Sequence, residues 1–286
     1  MSKQIRHLRT HRKGPKTGTK YSAGKKIPPP FQQALKRSKR ALTSKLTKKD
    51  LEYLRKTANQ LTKKTFPPIK GFLIPALIIA DEKNSKRWEW HLNNLTQNKI
   101  TLPIPQIKFL SMPEPNTLKM LRNMTNTIKE EGHYGSQAAE LLVEWFAWGF
   151  GIKDINTFRL SEKVHQKLQE QFKLELMLQN PADYFARLFE ESGHAGGPGW
   201  FATPMNVTEM ITQMIFPTTK PWEVINEPAI GTGSMVLPAS NYSLNITGQD
   251  ISPLMILTAK VNFTLYVPWA IVPYPEQMLE KLKEAA

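Results

Sequence analysis

A short β-prone segment, Trp222 to Asn226, runs directly into Glu227-Pro228-Ala229-Ile230-Gly231-Thr232-Gly233-Ser234-Met235, and this junction constrains the fold more than any other stretch. An acid at a strand end, followed by glycines that turn into a helix, is how α/β folds commonly hold nucleoside-type cofactors. Glycine permits the tight turn and lets a ligand approach the backbone closely. A bare Gly-x-Gly is nonspecific, so the second acid carries weight. Leu244 to Ile246 reads as another strand leading into Gly248-Gln249-Asp250-Ile251, and Asp250 lies 23 residues after Glu227. That is close to the spacing that puts a carboxylate on ribose hydroxyls in Rossmann-like units, where it accepts two hydrogen bonds from the diol. The competing reading makes Asp250 a cap for a helix from Pro253 to Leu265.

Upstream, Gly199-Trp200-Phe201-Ala202-Thr203-Pro204 precedes Val207, Met210, Ile211, Met214 and Ile215, which recur at i, i+3, i+4, i+7 and i+8. This spacing predicts an amphipathic helix with Thr203 as N-cap and Pro204 in its first position. Helix-start chemistry alone explains both residues. The breaker-rich run His194-Ala195-Gly196-Gly197-Pro198-Gly199 marks a boundary. The chain is thus expected to divide into a disordered basic arm (1–41), a mainly helical region (42–194) and an α/β domain (195–286).

Within the helical region, Ser44 to about Lys64 reads as a basic amphipathic helix carrying Leu46, Leu51, Leu54 and Leu61. Phe72 to Ala80 is a short buried segment of ambiguous type. Helices are predicted over 117–131 and 135–149, either side of Gly132 and Gly135, then over 161–178 and 183–191. In the second, Ala138, Leu142, Trp145 and Phe146 share one face, widened by Leu141 and Trp148. Such a row can serve as a base-stacking platform, but a packed core is the expected role.

Charge is concentrated in the tail. Residues 1–64 hold 20 Lys or Arg against Asp50 and Glu52, a net +18, while the other 222 residues hold 19 bases and 22 acids, a net −3. A Gly- and Pro-containing basic arm cannot bury enough apolar surface to fold alone, and it binds nucleic acid by releasing counterions. DNA is the expected partner of the arm and of the basic helix to about residue 64. No membrane partner is expected, since Phe72–Ala80 is about half a bilayer span and contains Pro75, and the N-terminus lacks the apolar core of a secretory signal. The absence of cysteine excludes disulfides, thiolate zinc sites and cysteine nucleophiles. A cytoplasmic location is expected, and no metal-ligand set is singled out.

Taken together, Gly199 to Pro204, Glu227 to Gly233, Gly248 to Asp250 and Ala259-Lys260-Val261-Asn262 resemble, in order, the motifs of the N6-adenine DNA methylase family. The likeness is greatest to the methylation subunits of type I restriction-modification systems. It covers about 65 residues clearly, from 199 to 262. The resemblance implies a Rossmann-like S-adenosylmethionine-dependent methyltransferase fold. It also implies that Phe201, Thr203 and Pro204 lie against the methionine end of the cofactor, with Pro228, Ala229 and Gly231 to Gly233 forming the turn beneath. Asp250 then binds the ribose, and Ile251 flanks the adenine. Two positions depart from the family pattern: Glu227 replaces an aspartate and Ile230 replaces a small residue.

The family's catalytic element, Asn-Pro-Pro-Tyr/Phe or Asp-Pro-Pro-Tyr, holds the target amino group and stacks on a flipped base. No Pro-Pro pair follows Asp250, so no catalytic residue is assigned. Pro28-Pro29-Pro30-Phe31, Phe66-Pro67-Pro68-Ile69 and Asn180-Pro181-Ala182-Asp183-Tyr184 read more simply as linker, turn and helix start. Residues 199–286 have room for about three or four strands, so the chain is expected to be either a reduced relative or one whose sheet is completed by helices of the middle region and a partner chain. The expected function is an adenine-specific (N6) DNA methyltransferase or a subunit of one. The alternatives are a noncatalytic DNA-binding protein that retains the cofactor fold and, third, an RNA methyltransferase or RNA-binding protein.

Overall fold

The computed structural model describes residues 66–152, 154–193 and 202–286. The basic arm, the basic helix to about residue 64, the His194–Gly199 joint and Phe201 lie outside them.

Among the described residues seven helices come first: α1 (Ile74–Asp81), α2 (Arg87–Gln97), α3 (Pro115–Lys129), α4 (Ser136–Gly149), α5 (Glu162–Gln171), α6 (Leu174–Gln179) and α7 (Tyr184–Glu191). Phe72–Ala80, ambiguous by pattern, is largely α1. Local chemistry sets several starts. Glu114 caps α3 by accepting from the N–H groups of Asn116 and Thr117, with Pro115 in the first turn, and Ser161 caps α5. The single helix expected over 161–178 is broken at Phe172 and Lys173, which take extended backbone. Tertiary contacts explain the break: Phe172 packs on the rings of Trp145 and Phe146, and the Lys173 N–H reaches Met120 Sδ at 3.1 Å.

The remainder holds α8 (Met205–Ile215), β1 (Val224–Glu227), α9 (Val236–Ala239), β2 (Asn245–Gly248), α10 (Pro253–Tyr266), α11 (Pro268–Ile271) and α12 (Glu276–Glu284). β1 and β2 pair in parallel, with Val224 opposite Asn245 and Glu227 opposite Gly248. The described residues form this one two-stranded sheet, fewer strands than the three or four expected. The stretch available for more is taken up otherwise. Pro268 opens α11, Trp269 donates from Nε1 to the Ser243 carbonyl, and Pro273 and Pro275 flank Tyr274, whose ring packs on His91.

α10 is buried nearly all round, as a helix apolar on every side must be. It packs on α4, and α4 packs in turn on α3 and α7. One apolar core thus runs from Phe72 to Met278. Arg87 laces α2 to the far end of α10. Its guanidinium is fully buried and donates to the carbonyls of Pro105 and Tyr266, to Ser240 Oγ and to Asn241 Oδ1, and it lies over the Trp269 ring. Burial pulls its pKa down to about 9, so it stays charged at neutral pH. The described residues are therefore mainly helical with one small parallel sheet, compatible with an α/β class. No helix among the described residues is long and apolar enough to cross a membrane.

α8 departs from expectation in two ways. It begins at Met205, with Pro204 at the N-cap and no side-chain capping bond, so exposed Thr203 does not cap it. Much of its apolar row also faces outward: Met210, Met214 and Ile215 are 53%, 76% and 59% exposed and Val207 and Ile211 are half-buried, while Met205, Thr208 and Thr212 face in. The inward side rests on short α9, and the Thr208 hydroxyl is satisfied by the Pro204 carbonyl at 3.0 Å.

Candidate functional site

The turn between β1 and α9 is tied down from several directions. Glu227 ends β1, and its Oε1 accepts from the Ala229 N–H at 3.1 Å. Its carbonyl accepts from the Gln249 N–H, and the Ile230 N–H donates back to the Gln249 carbonyl. The ends of the two strands are thus knitted just below the turn. Buried Ile230, the larger residue at a family position for a small one, occupies the space beside Gly248. A Cβ on Gly248 would stand 2.3 Å from Ile230 Cδ1, so any larger residue there would push the Ile230 side chain aside.

Gly231 and Gly233 have φ of +53° and +94°, left-handed values that favour glycine. A Cβ on Gly233 would also meet the Phe263 ring of α10 at 2.7 Å. The second glycine therefore serves the close approach of turn and helix as well as the backbone path. The Gly231 N–H donates to Asp250 Oδ2 at 2.9 Å, and Asp250 Oδ1 accepts from the Ser252 N–H at 2.8 Å. Asp250 therefore bridges the turn and the start of α10, while the side-chain bond within that helix start belongs to Ser252, which accepts from the Met255 N–H. With one donor on each oxygen, the carboxylate keeps acceptor capacity.

The structure thus brings together Glu227, the 228–233 turn and Asp250. Pro228 and Ala229 are exposed, and the Ile251 side chain is fully exposed beside Asp250. Thr203 and Pro204 are exposed at the N-terminus of α8. Phe201 lies outside the described residues.

Sequence reasoning missed a residue that meets this turn from below. Asp183, the N-cap of α7, accepts from the Ala186 N–H at 3.0 Å on Oδ1. Its Oδ2 accepts from Thr232 Oγ1 and from Ser234 Oγ, both at 2.5 Å. Asn262 Nδ2 of α10 donates to Asp183 Oδ1 at 3.0 Å and to the Thr232 carbonyl at 2.9 Å. The available sequence signal was two hydroxyl residues inside a glycine turn, but nothing in the sequence names their distant acceptor.

The other segments weighed as catalytic substitutes are occupied elsewhere. Tyr184 is buried and donates to the Asn180 carbonyl at 2.7 Å, and Asn180 Nδ2 bonds the Leu176 carbonyl. Neither end of Asn180–Tyr184 is presented as a base-binding element. The Pro68 carbonyl accepts from Trp148 Nε1, and Pro28–Phe31 lies outside the described residues.

A strand, a glycine turn with left-handed backbone, a parallel second strand followed by an acid, and a buried helix define a mixed α/β module. Residues 182–266 match the sequence profile of the N-6 DNA methylase family, a likeness that supports a DNA methyltransferase-like function. The match spans α7 to α10 and contains Asp183 with all its partners. No curated protein and no solved structure matches the chain.

Proposed function

We propose that the chain is an adenine-specific (N6) DNA methyltransferase subunit, built on a Rossmann-like half-sheet, that holds S-adenosylmethionine over the turn between β1 and β2. The observation that carries this reading is the bond from the Gly231 N–H to Asp250, which joins the glycine turn to the second acid inside the matched segment. The residues present fit such a cofactor: a turn with left-handed glycines, a carboxylate with spare acceptor capacity and an exposed apolar side chain beside it.

When bound, S-adenosylmethionine supplies the methyl group as an electrophile. The chain's own contribution is binding and orientation. Asp250 accepts hydrogen bonds from the ribose hydroxyls, and Ile251 covers one face of the adenine. The backbone of Gly231 to Gly233 lies beneath the cofactor, with Glu227, Pro228 and Ala229 at its edge. Thr203 and Pro204 would lie toward the methionine end. Residues 1–64, with a net charge of +18, bind DNA phosphates with strong salt dependence.

A partner chain supplies the catalytic element and completes the sheet. Two features support this part of the reading. β1 has one edge with no strand partner among the described residues, and α8 leaves Met210, Met214 and Ile215 exposed. Unpaired strand edges and contiguous exposed apolar surface are typical of surfaces that other chains cover.

Transfer of labelled methyl from S-adenosylmethionine tests the proposal, using the full chain alone and with candidate partner chains, on DNA and on RNA. The expected product is N6-methyladenine in DNA, formed in the presence of the partner. Label on RNA rather than DNA contradicts the substrate assignment. Cofactor binding with no transfer under any pairing favours a noncatalytic DNA-binding protein.

A further inference from the structure

The Asp183 carboxylate is almost fully buried, as are Thr232, Ser234 and Asn262 around it. Four donors from three elements converge on it: the Ala186 N–H of α7, the hydroxyls of Thr232 and Ser234 in the turn, and Asn262 Nδ2 of α10. A helix cap needs only one of these bonds, and serine or asparagine would serve for it. A carboxylate offers about four lone-pair sites, so this one has none left for a ligand. No Lys or Arg among the described residues forms an ion pair with it, and its charge is stabilised by these four bonds and by the N-terminus of α7.

We infer that Asp183 is a positioning residue for the cofactor turn: by drawing the Thr232 and Ser234 side chains inward, it holds the backbone of residues 231–234 in one ligand-ready form. Asp250 restrains the same turn from the opposite side through the Gly231 N–H, so the turn is held between two carboxylates with different tasks. Asp250 keeps capacity for the ligand, and Asp183 is saturated and acts only through the turn. Fixing a loop in its bound conformation beforehand removes an ordering cost from binding. The inference rests on the cofactor reading above.

The test uses the full chain, with S-adenosylhomocysteine as the probe in calorimetry and amide hydrogen exchange measured without ligand. Asp183→Asn keeps the side-chain shape but turns one acceptor into a donor. It is expected to weaken binding by roughly tenfold or more and to speed exchange at residues 231–234. Thr232→Val is expected to do the same to a smaller degree, and Thr232→Ser to retain wild-type affinity. Leu168→Ala, which damages the core in α5 away from the turn, is expected to lower stability and leave affinity within about twofold. Unchanged exchange and unchanged affinity in Asp183→Asn would overturn the positioning role and leave the cofactor reading intact. Equal loss of affinity in Leu168→Ala would reduce Asp183 to a stability residue. Failure of the wild-type chain to bind the probe would overturn the cofactor reading, and with it the role assigned to Asp183.

Discussion

α4 and α8 both read as amphipathic helices in the sequence, and the fold uses them in opposite ways. α4 buries Ala138, Leu142, Trp145 and Phe146 among α3, α7 and α10. α8 lays Met205, Thr208 and Thr212 on α9 and leaves Met210, Met214 and Ile215 in solvent. Periodicity determines which residues share a face. Which face becomes interior depends on the surfaces that the rest of the chain supplies. α4 packs among several helices, whereas the short α9 is the main element packed on α8.

The contrast predicts unequal costs of substitution, which thermal or denaturant unfolding can rank. Phe146→Ala removes a fully buried ring from the α4 interface and is expected to destabilise by about 3–5 kcal/mol. A loss below about 1 kcal/mol there would break the comparison, because α4 would then not be core.

Acid sharpens it next, through two histidines buried in the helical region. His165 accepts from Trp145 Nε1 at 3.0 Å, and His91 packs among Trp88, Trp269 and Tyr274. Burial pulls both down from the ordinary 6.5 to about 4. Between those values the unfolded chain binds more protons, so stability is full above pH 6.5, falls as pH drops toward 4 and levels off below. Each histidine contributes at most about 3 kcal/mol to that fall. Asp81, whose pKa burial raises, opposes it by favouring the folded state as it protonates. A flat stability profile from pH 7 to 4 would contradict the neutral, buried state of these rings.

The smallest effects belong to α8. Thr212 is buried with a hydroxyl that has no hydrogen-bond partner among the described residues, so Thr212→Val is expected to be neutral or to stabilise by about 0.5–1 kcal/mol. Met214→Ala on the outward row is expected to change stability by no more than about 0.5 kcal/mol. A Met214→Ala cost near that of Phe146→Ala would show that the row is covered.

These contrasts also mark what was legible in the sequence. Breakers and periodicity located α3, α4 and α10 to within a residue or two, and an acid followed by glycines located β1 and its turn. What stayed hidden is the work of long-range contacts. The break between α5 and α6 follows from Phe172 packing on Trp145 and Phe146. The inverted face of α8 and the missing strands reflect which surfaces assemble. At the candidate site, Glu227, the glycine turn and Asp250 were visible as a spacing. Asp183 was visible only as a helix start, because its partners lie 49, 51 and 79 residues away.

The assigned function depends most directly on cofactor binding at the turn between β1 and α9. Calorimetric titration of the full chain with S-adenosylmethionine, repeated on Asp250→Ala, tests it. The account predicts saturable one-to-one binding by the wild-type chain and a loss of roughly tenfold or more in the variant, which removes the ribose acceptor and frees the Gly231 N–H. No binding by the intact chain, or equal binding by both, would contradict it.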